Sequence, residues 1–199
     1  MLTFQTNKIA ISAVLAISLC GVAASAQELG GDGPIVDPIP VVQPTVASAD
    51  VETAALLLSG FHGIADQATF AEQIAEPVPV LWSIVRDGTR AGFMRDRALI
   101  ALAYWPDETL RAHLMTMLAE APDDSMDKHT AMTLLARGFG ESALSTLVPM
   151  LHSADLQIRL SAVDSLRLIG SPAAREALAS ARSGESHRLV LEAIDQILR

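Results

Sequence analysis

An all-α fold, an α-solenoid of about four helical hairpins behind an irregular helical cap, is what this sequence predicts. Three observations predict it. Half the residues are apolar but only 4% are aromatic, and alanine and leucine dominate, which favours helices over packed sheets. Apolar residues recur at helical spacing in one segment after another. Polar residues that start helices and glycines that stop them fall at the segment ends.

The N-terminus stands apart from this pattern. Lys8 is the sole charged side chain in Met1–Ala26, Ile9–Ala23 is an apolar core, and Ala24-Ser25-Ala26 has the small-x-small form of a cleavage site. Residues 1–26 therefore read as a signal peptide cleaved after Ala26, which makes the chain periplasmic or secreted. The other reading is retention as a membrane anchor, for which the run is short and lacks flanking charges. Leu19 is too large to precede a lipid-modified Cys20. Cys20 is the only cysteine and leaves with the signal. The remainder has no disulfide, no thiolate nucleophile and no cysteine-based metal site. The net charge of -9 argues against nucleic acid and anionic lipid, both of which call for basic patches. No stable membrane span is expected after cleavage.

Residues 27–47 carry Pro34, Pro38, Pro40 and Pro44 with Gly30, Gly31 and Gly33. Prolines remove amide donors and push the preceding residue out of the α region, so this is an extended linker. Residues 48–76 form the cap. Val51, Ala54, Ala55 and Leu58 share one helical face, and Gly60 stops the run. Thr69 and Glu72 have capping-box spacing, which predicts a short helix from there to about Glu76.

Residues 77–199 repeat. Segments starting at Met94, Asp127, Ile158 and Ser186 align without gaps, with Arg95, Lys128, Arg159 and His187 at their second positions. The intervals are 33, 31 and 28 residues. Ala98, Ala131 and Ala162 align, with Leu191 in the last copy, and Leu102, Leu135, Leu166 and Ile194 follow. Between them lie the stripes of partner helices: Leu110, Leu114 and Leu118, then Leu144, Leu147, Val148 and Leu151, then Ala174, Ala177, Leu178 and Ala181. A hairpin of this kind cannot bury its stripe alone, and stacking buries it. Asp107, Asp124 or Ser125, Ser142, Asp155, Ser171 and Ser186 are the expected N-caps. Pro172 suits a first helical position, and Gly138, Gly140 and Gly170 are the expected stops.

At Asp155, Ile158, Arg159, Ala162, Leu166, Ile169-Gly170 and Pro172 the chain resembles the short HEAT-like repeats of the phycobilisome-lyase type. The likeness is close over Leu144–Leu198, fair over Pro77–Leu144 and absent before. It implies an aspartate at the start of each second helix and an arginine four residues on, joined to acids in a ladder. Ala91 stands where the first aspartate should be, and His187 replaces the last arginine. The implied ladder reduces to Asp124 with Lys128 and Asp155 with Arg159. The resemblance implies a binding or scaffolding module. Some members attach bilins to phycobiliproteins, an activity that export argues against and that is not carried over.

Catalytic patterns are missing. His62, His113, His129, His152 and His187 include no i, i+4 pair and no HExxH motif. Glu120, Asp123, Asp124 and Asp127 lack the alternation and central glycine of a calcium loop, and helix capping explains them. No serine sits in a G-x-S-x-G elbow. Gly138-Phe139-Gly140 follows a helix, which is wrong for a phosphate loop. Trp82 and Tyr104 would serve a small aromatic ligand only if a cleft lay beside them, and Trp105 aligns with Ile169 on the buried stripe. The expectation is a protein without catalysis, metal or cofactor.

That leaves surface. Leu160, Asp164 and Arg167 lie opposite Ala162 and Leu166 on one helix. With the equivalent positions they give a candidate partner-binding face: Asp96, His129, Thr133, Asp164, Arg167, Arg188 and Glu192, with Asp195 beside them. Its mixed signs suit a protein or peptide partner. The alternative is an accessory protein or weak enzyme, lyase-like or hydrolytic, with a site assembled across repeats from His129 and Asp164. In the last helix Leu189, Val190, Leu191, Ile194, Ile197 and Leu198 cover more than one face, an open end suited to self-association.

Overall fold

Side-chain caps decide where half of the main helices begin. The computed structural model describes residues 46–60, 63–123 and 125–199, all within the unit Val42–Arg199. The predicted signal peptide, most of the linker, His62 and Asp124 lie outside the described residues. Those residues form helices and no strand: α1 Ser48–Leu58, α2 Gln67–Gln73, α3 Pro77–Arg86, α4 Gly92–Leu102, α5 Glu108–Glu120, α6 Met126–Phe139, α7 Leu144–Leu147, α8 Leu156–Ile169, α9 Pro172–Arg182 and α10 Arg188–Leu198. No helix among them is long and apolar enough to cross a membrane.

Asp66, Asp107, Ser125, Asp155 and Ser171 each accept an amide of the first turn of α2, α5, α6, α8 and α9. Each satisfies an orphan donor that would otherwise need water. The starts of α1, α3, α4 and α10, after Ala47, Glu76, Ala91 and His187, have no side-chain cap. Gly170 ends α8 with φ 65°, the left-handed conformation that glycine adopts without a Cβ penalty.

Several local expectations need correction. Helix α2 starts at Gln67 behind Asp66, which binds both the amide and the hydroxyl of Thr69. Thr69 is thus the third helical residue and not the opening of a capping box, and the helix stops at Gln73. Ser142 does not cap either: its hydroxyl donates to the Phe139 carbonyl and accepts from Arg111. Ser186 does not cap α10; Glu185 takes the amides of Ser186 and His187, both ahead of the helix. Gly138 is no stop but lies inside α6, where a Cβ would sit 3.4 Å from the Pro106 Cβ. The stripe from Leu144 to Leu151 is broken into 3₁₀ turns, Gly140–Ala143 and Val148–His152, on either side of α7. Pro149 has no amide to donate there, and in a continuous α-helix its ring would clash with the carbonyl four residues back.

The aligned positions are buried alike except in the last copy, where Leu191 is half-buried. Ala98, Ala131 and Ala162 have no exposed surface, and Leu102, Leu135, Leu166 and Ile194 expose at most 1%. The partner stripes are buried with them, through Leu110, Leu114, Leu147 and Leu178. Helices pack in pairs, α3 on α4, α5 on α6, α7 on α8 and α9 on α10; α6 packs on α8 and α8 on α10, whereas α4 and α6 do not pack closely. Helix α1 packs on α3 and α4. Of the apolar residues of α10, Val190 and Ile194 are buried, Leu191, Ile197 and Leu198 are half-buried, and Leu189 is exposed. The terminal helix therefore commits most of its apolar surface inward.

Candidate functional site: the groove between α8 and α10

Helix α8 faces α6 with one edge and α10 with the other. Along the second edge runs an open groove of about 490 Å³, lined by Leu160, Val163, Asp164, Arg167, Arg175 and Ile197 among others. Its floor is apolar because residues 160, 163 and 193, 197 fall on the facing stripes of α8 and α10. Its rim is polar. The Arg167 Nε and Nη2 both reach Asp164 Oδ1, at 2.9 and 2.7 Å, one helical turn apart. Both side chains are about half exposed, so the pair is worth little to stability and remains available to a partner. Arg175, from the first turn of α9, donates to the carbonyls of Ile197 and Leu198 at the end of α10, where a cation complements the helix dipole.

The other members of the predicted face are dispersed. Arg188 and Glu192 pair with each other at 3.5 Å on α10. His129 sits in a second groove of about 410 Å³, with Met126 and Gln157, and its Nδ1 lies 2.8 Å from the Oγ of nearly buried Ser161. Asp96 is exposed on α4 and Thr133 half-buried on α6, and neither lines a groove described here. His129 and Asp164 do not share a groove. Sequence reasoning missed Arg175, Gln196 and Ser161. Their roles depend on how α9 meets α10 and α6 meets α8, which no local spacing signals.

Asp155 and Arg159 do not form a ladder rung. The Asp155 carboxylate caps α8 through Gln157 and Ile158. Arg159 instead binds Glu185 at 2.9 Å and the carbonyls of Ser153 and Ala154. Glu185 is held below the usual carboxylate range, first by the His187 amide, then by the Ser186 amide and Arg159, against a desolvation that raises it. Lys128 pairs with Asp123; the expected partner Asp124 lies outside the described residues. This network ties α8 to the α9–α10 turn.

Trp82 is 7% exposed and serves as core. The His113 ring meets it edge-on at 5.3 Å, and the Arg86 guanidinium lies 4.9 Å from its centroid. Burial, and then Arg86, lower the His113 pKa. A groove of about 620 Å³ does open beside Trp82, but Tyr104 does not line it; Tyr104 packs on Trp105, which meets Phe70 edge-on. Among the described residues no three His, Cys, Asp or Glu side chains are grouped to hold a metal ion. Set against protein-family models, curated proteins and solved structures, the chain has no match.

Proposed function

We propose that the protein is an exported, non-enzymatic adaptor, a HEAT-like α-solenoid that holds a protein or peptide partner on the face carried by α6, α8 and α10. The solenoid reading is supported by the stacking of α6 on α8 and α8 on α10, and by like burial of Ala98, Ala131 and Ala162 and of Leu102, Leu135, Leu166 and Ile194. Export rests on the pattern of residues 1–26. The observation that carries the binding role is the groove between α8 and α10: an apolar floor under a half-exposed Asp164–Arg167 pair, the composition of a small peptide-binding surface.

The test exchanges the pair. Asp164→Arg with Arg167→Asp keeps an ion pair within one turn, so folding should be unaffected while the charge pattern is inverted. Crosslinking in the native envelope, followed by mass spectrometry, should show a species captured by the wild type and lost from the exchanged variant, at unchanged Tm. Equal capture would remove the groove from the proposal.

One observation favours the hydrolytic alternative, the 2.8 Å approach of His129 Nδ1 to Ser161 Oγ across α6 and α8. A hydroxyl beside an imidazole is the minimum for nucleophilic catalysis. That reading predicts turnover of an activated ester that Ser161→Ala abolishes; a rate equal in wild type and variant counts against it.

A further inference from the structure

We propose that the α8–α10 groove selects an acidic amphipathic peptide, with its apolar side chains on the groove floor and its carboxylate against Arg175 and Arg167. The proposal rests on the groove being the partner site, and it adds the partner's chemistry.

The argument is one of charge inside the groove. Asp164 offsets Arg167 through one hydrogen bond from Nε and an ion-pair contact from Nη2, both to the same carboxylate oxygen. Arg175 has no carboxylate partner among the described residues, because its bonds go to the carbonyls of Ile197 and Leu198. A helix C-terminus carries about half an elementary negative charge, so those carbonyls offset the guanidinium only in part. Gln196, the remaining polar residue at the rim, is neutral. The groove is therefore locally positive in a chain of net charge -9.

The donors left over fit a carboxylate. Arg175 Nε and Arg167 Nη1 make no hydrogen bond among the described residues. Arginine donors of this kind pair with carboxylates more strongly than with neutral acceptors. The remaining acids repel an acidic ligand at long range. At about 0.15 M salt, however, the Debye length is about 8 Å, so the arginines in contact decide selectivity.

The test uses two fluorescein-labelled peptides, one with leucines at helical spacing flanked by glutamates, the other with lysines replacing every glutamate. Fluorescence anisotropy with the full chain should show the glutamate peptide binding at least about tenfold tighter, a difference of about 1.4 kcal/mol. Arg175 also closes the end of α10, so the decisive variants leave it in place. Gln196→Glu should weaken the glutamate peptide and Gln196→Lys should tighten it. Ala193→Trp fills the floor and should abolish binding of either peptide. Equal or tighter binding of the lysine peptide overturns the charge assignment while leaving the groove as a site, provided Ala193→Trp still blocks it. Binding that Ala193→Trp does not affect, or binding of neither peptide, overturns both. A dimer in sedimentation that Ala193→Trp dissociates would give the groove to a second copy and overturn the acidic peptide.

Discussion

The region α8–α10 and the region α1–α4 reach the same kind of burial by different means. In the first, Asp155 caps α8, Gly170 ends it, and Ser171 with Pro172 opens α9 within two residues. In the second, α1, α3 and α4 start without a side-chain cap. What holds α4 in place comes from far along the chain. Arg97 donates to the carbonyls of Leu58 and Gly60 at the end of α1, and Arg90 pairs with Glu52 at 3.3 Å. Neighbours in sequence thus set the starts of α8 and α9, whereas the start of α4 leans on contacts nearly forty residues apart.

The largest effects should not distinguish the two. Leu166→Ala and Leu102→Ala empty equivalent, fully packed positions, and each should cost about 2–5 kcal/mol in urea unfolding. A loss of under about 1 kcal/mol at Leu102 would place α4 outside the common core. Next come the arginines. Arg159→Ala strips one of three donors from Glu185 and frees two carbonyls, while Arg97→Ala frees two carbonyls in the other region. Each should cost about 1–3 kcal/mol, and hydrogen exchange should quicken at the α9–α10 turn in one case and at the end of α1 in the other.

Caps then separate the regions by sign. Asp155→Ala should cost about 0.5–2 kcal/mol. Ala91→Asp supplies the cap that α4 lacks and should stabilise by up to about 1 kcal/mol. An unchanged Tm for Ala91→Asp would mean that the α4 start is fixed by tertiary contacts alone. The smallest effect is that of pH. The Glu185 carboxyl titrates below its ordinary value of 4.5, so its contribution is complete above that pH and is lost as pH falls through the lowered native value. Glu185→Gln should therefore flatten the acid limb of the stability curve and leave its slope near neutrality alone.

The same contrast explains what was legible. Asp107, Ser125, Asp155, Ser171 and Gly170 could be placed because capping acts within three residues of chain. The aligned alanines and leucines could be assigned to the core because burial follows helical period. Pro149 should have warned against a continuous helix from Leu144 to Leu151. Glu185 could not be found, since its bond to Arg159 spans 26 residues. Asp164 and Arg167 stand out in the sequence as unmatched residues on an open stripe, and they do line a groove. Arg175 was invisible because its place there depends on the packing of α9 against α10.

The central claim is that one groove, rather than the whole polar surface, holds a partner. The direct measurement is capture by crosslinking in the producing cells, with three proteins side by side: wild type, the Asp164→Arg, Arg167→Asp exchange, and Glu72→Lys, which reverses an exposed charge on α2 away from these grooves. The account predicts the same captured species from wild type and Glu72→Lys, its loss from the exchange variant, and equal Tm for wild type and the exchange variant. Capture undiminished in the exchange variant, or lost equally in Glu72→Lys, would contradict it.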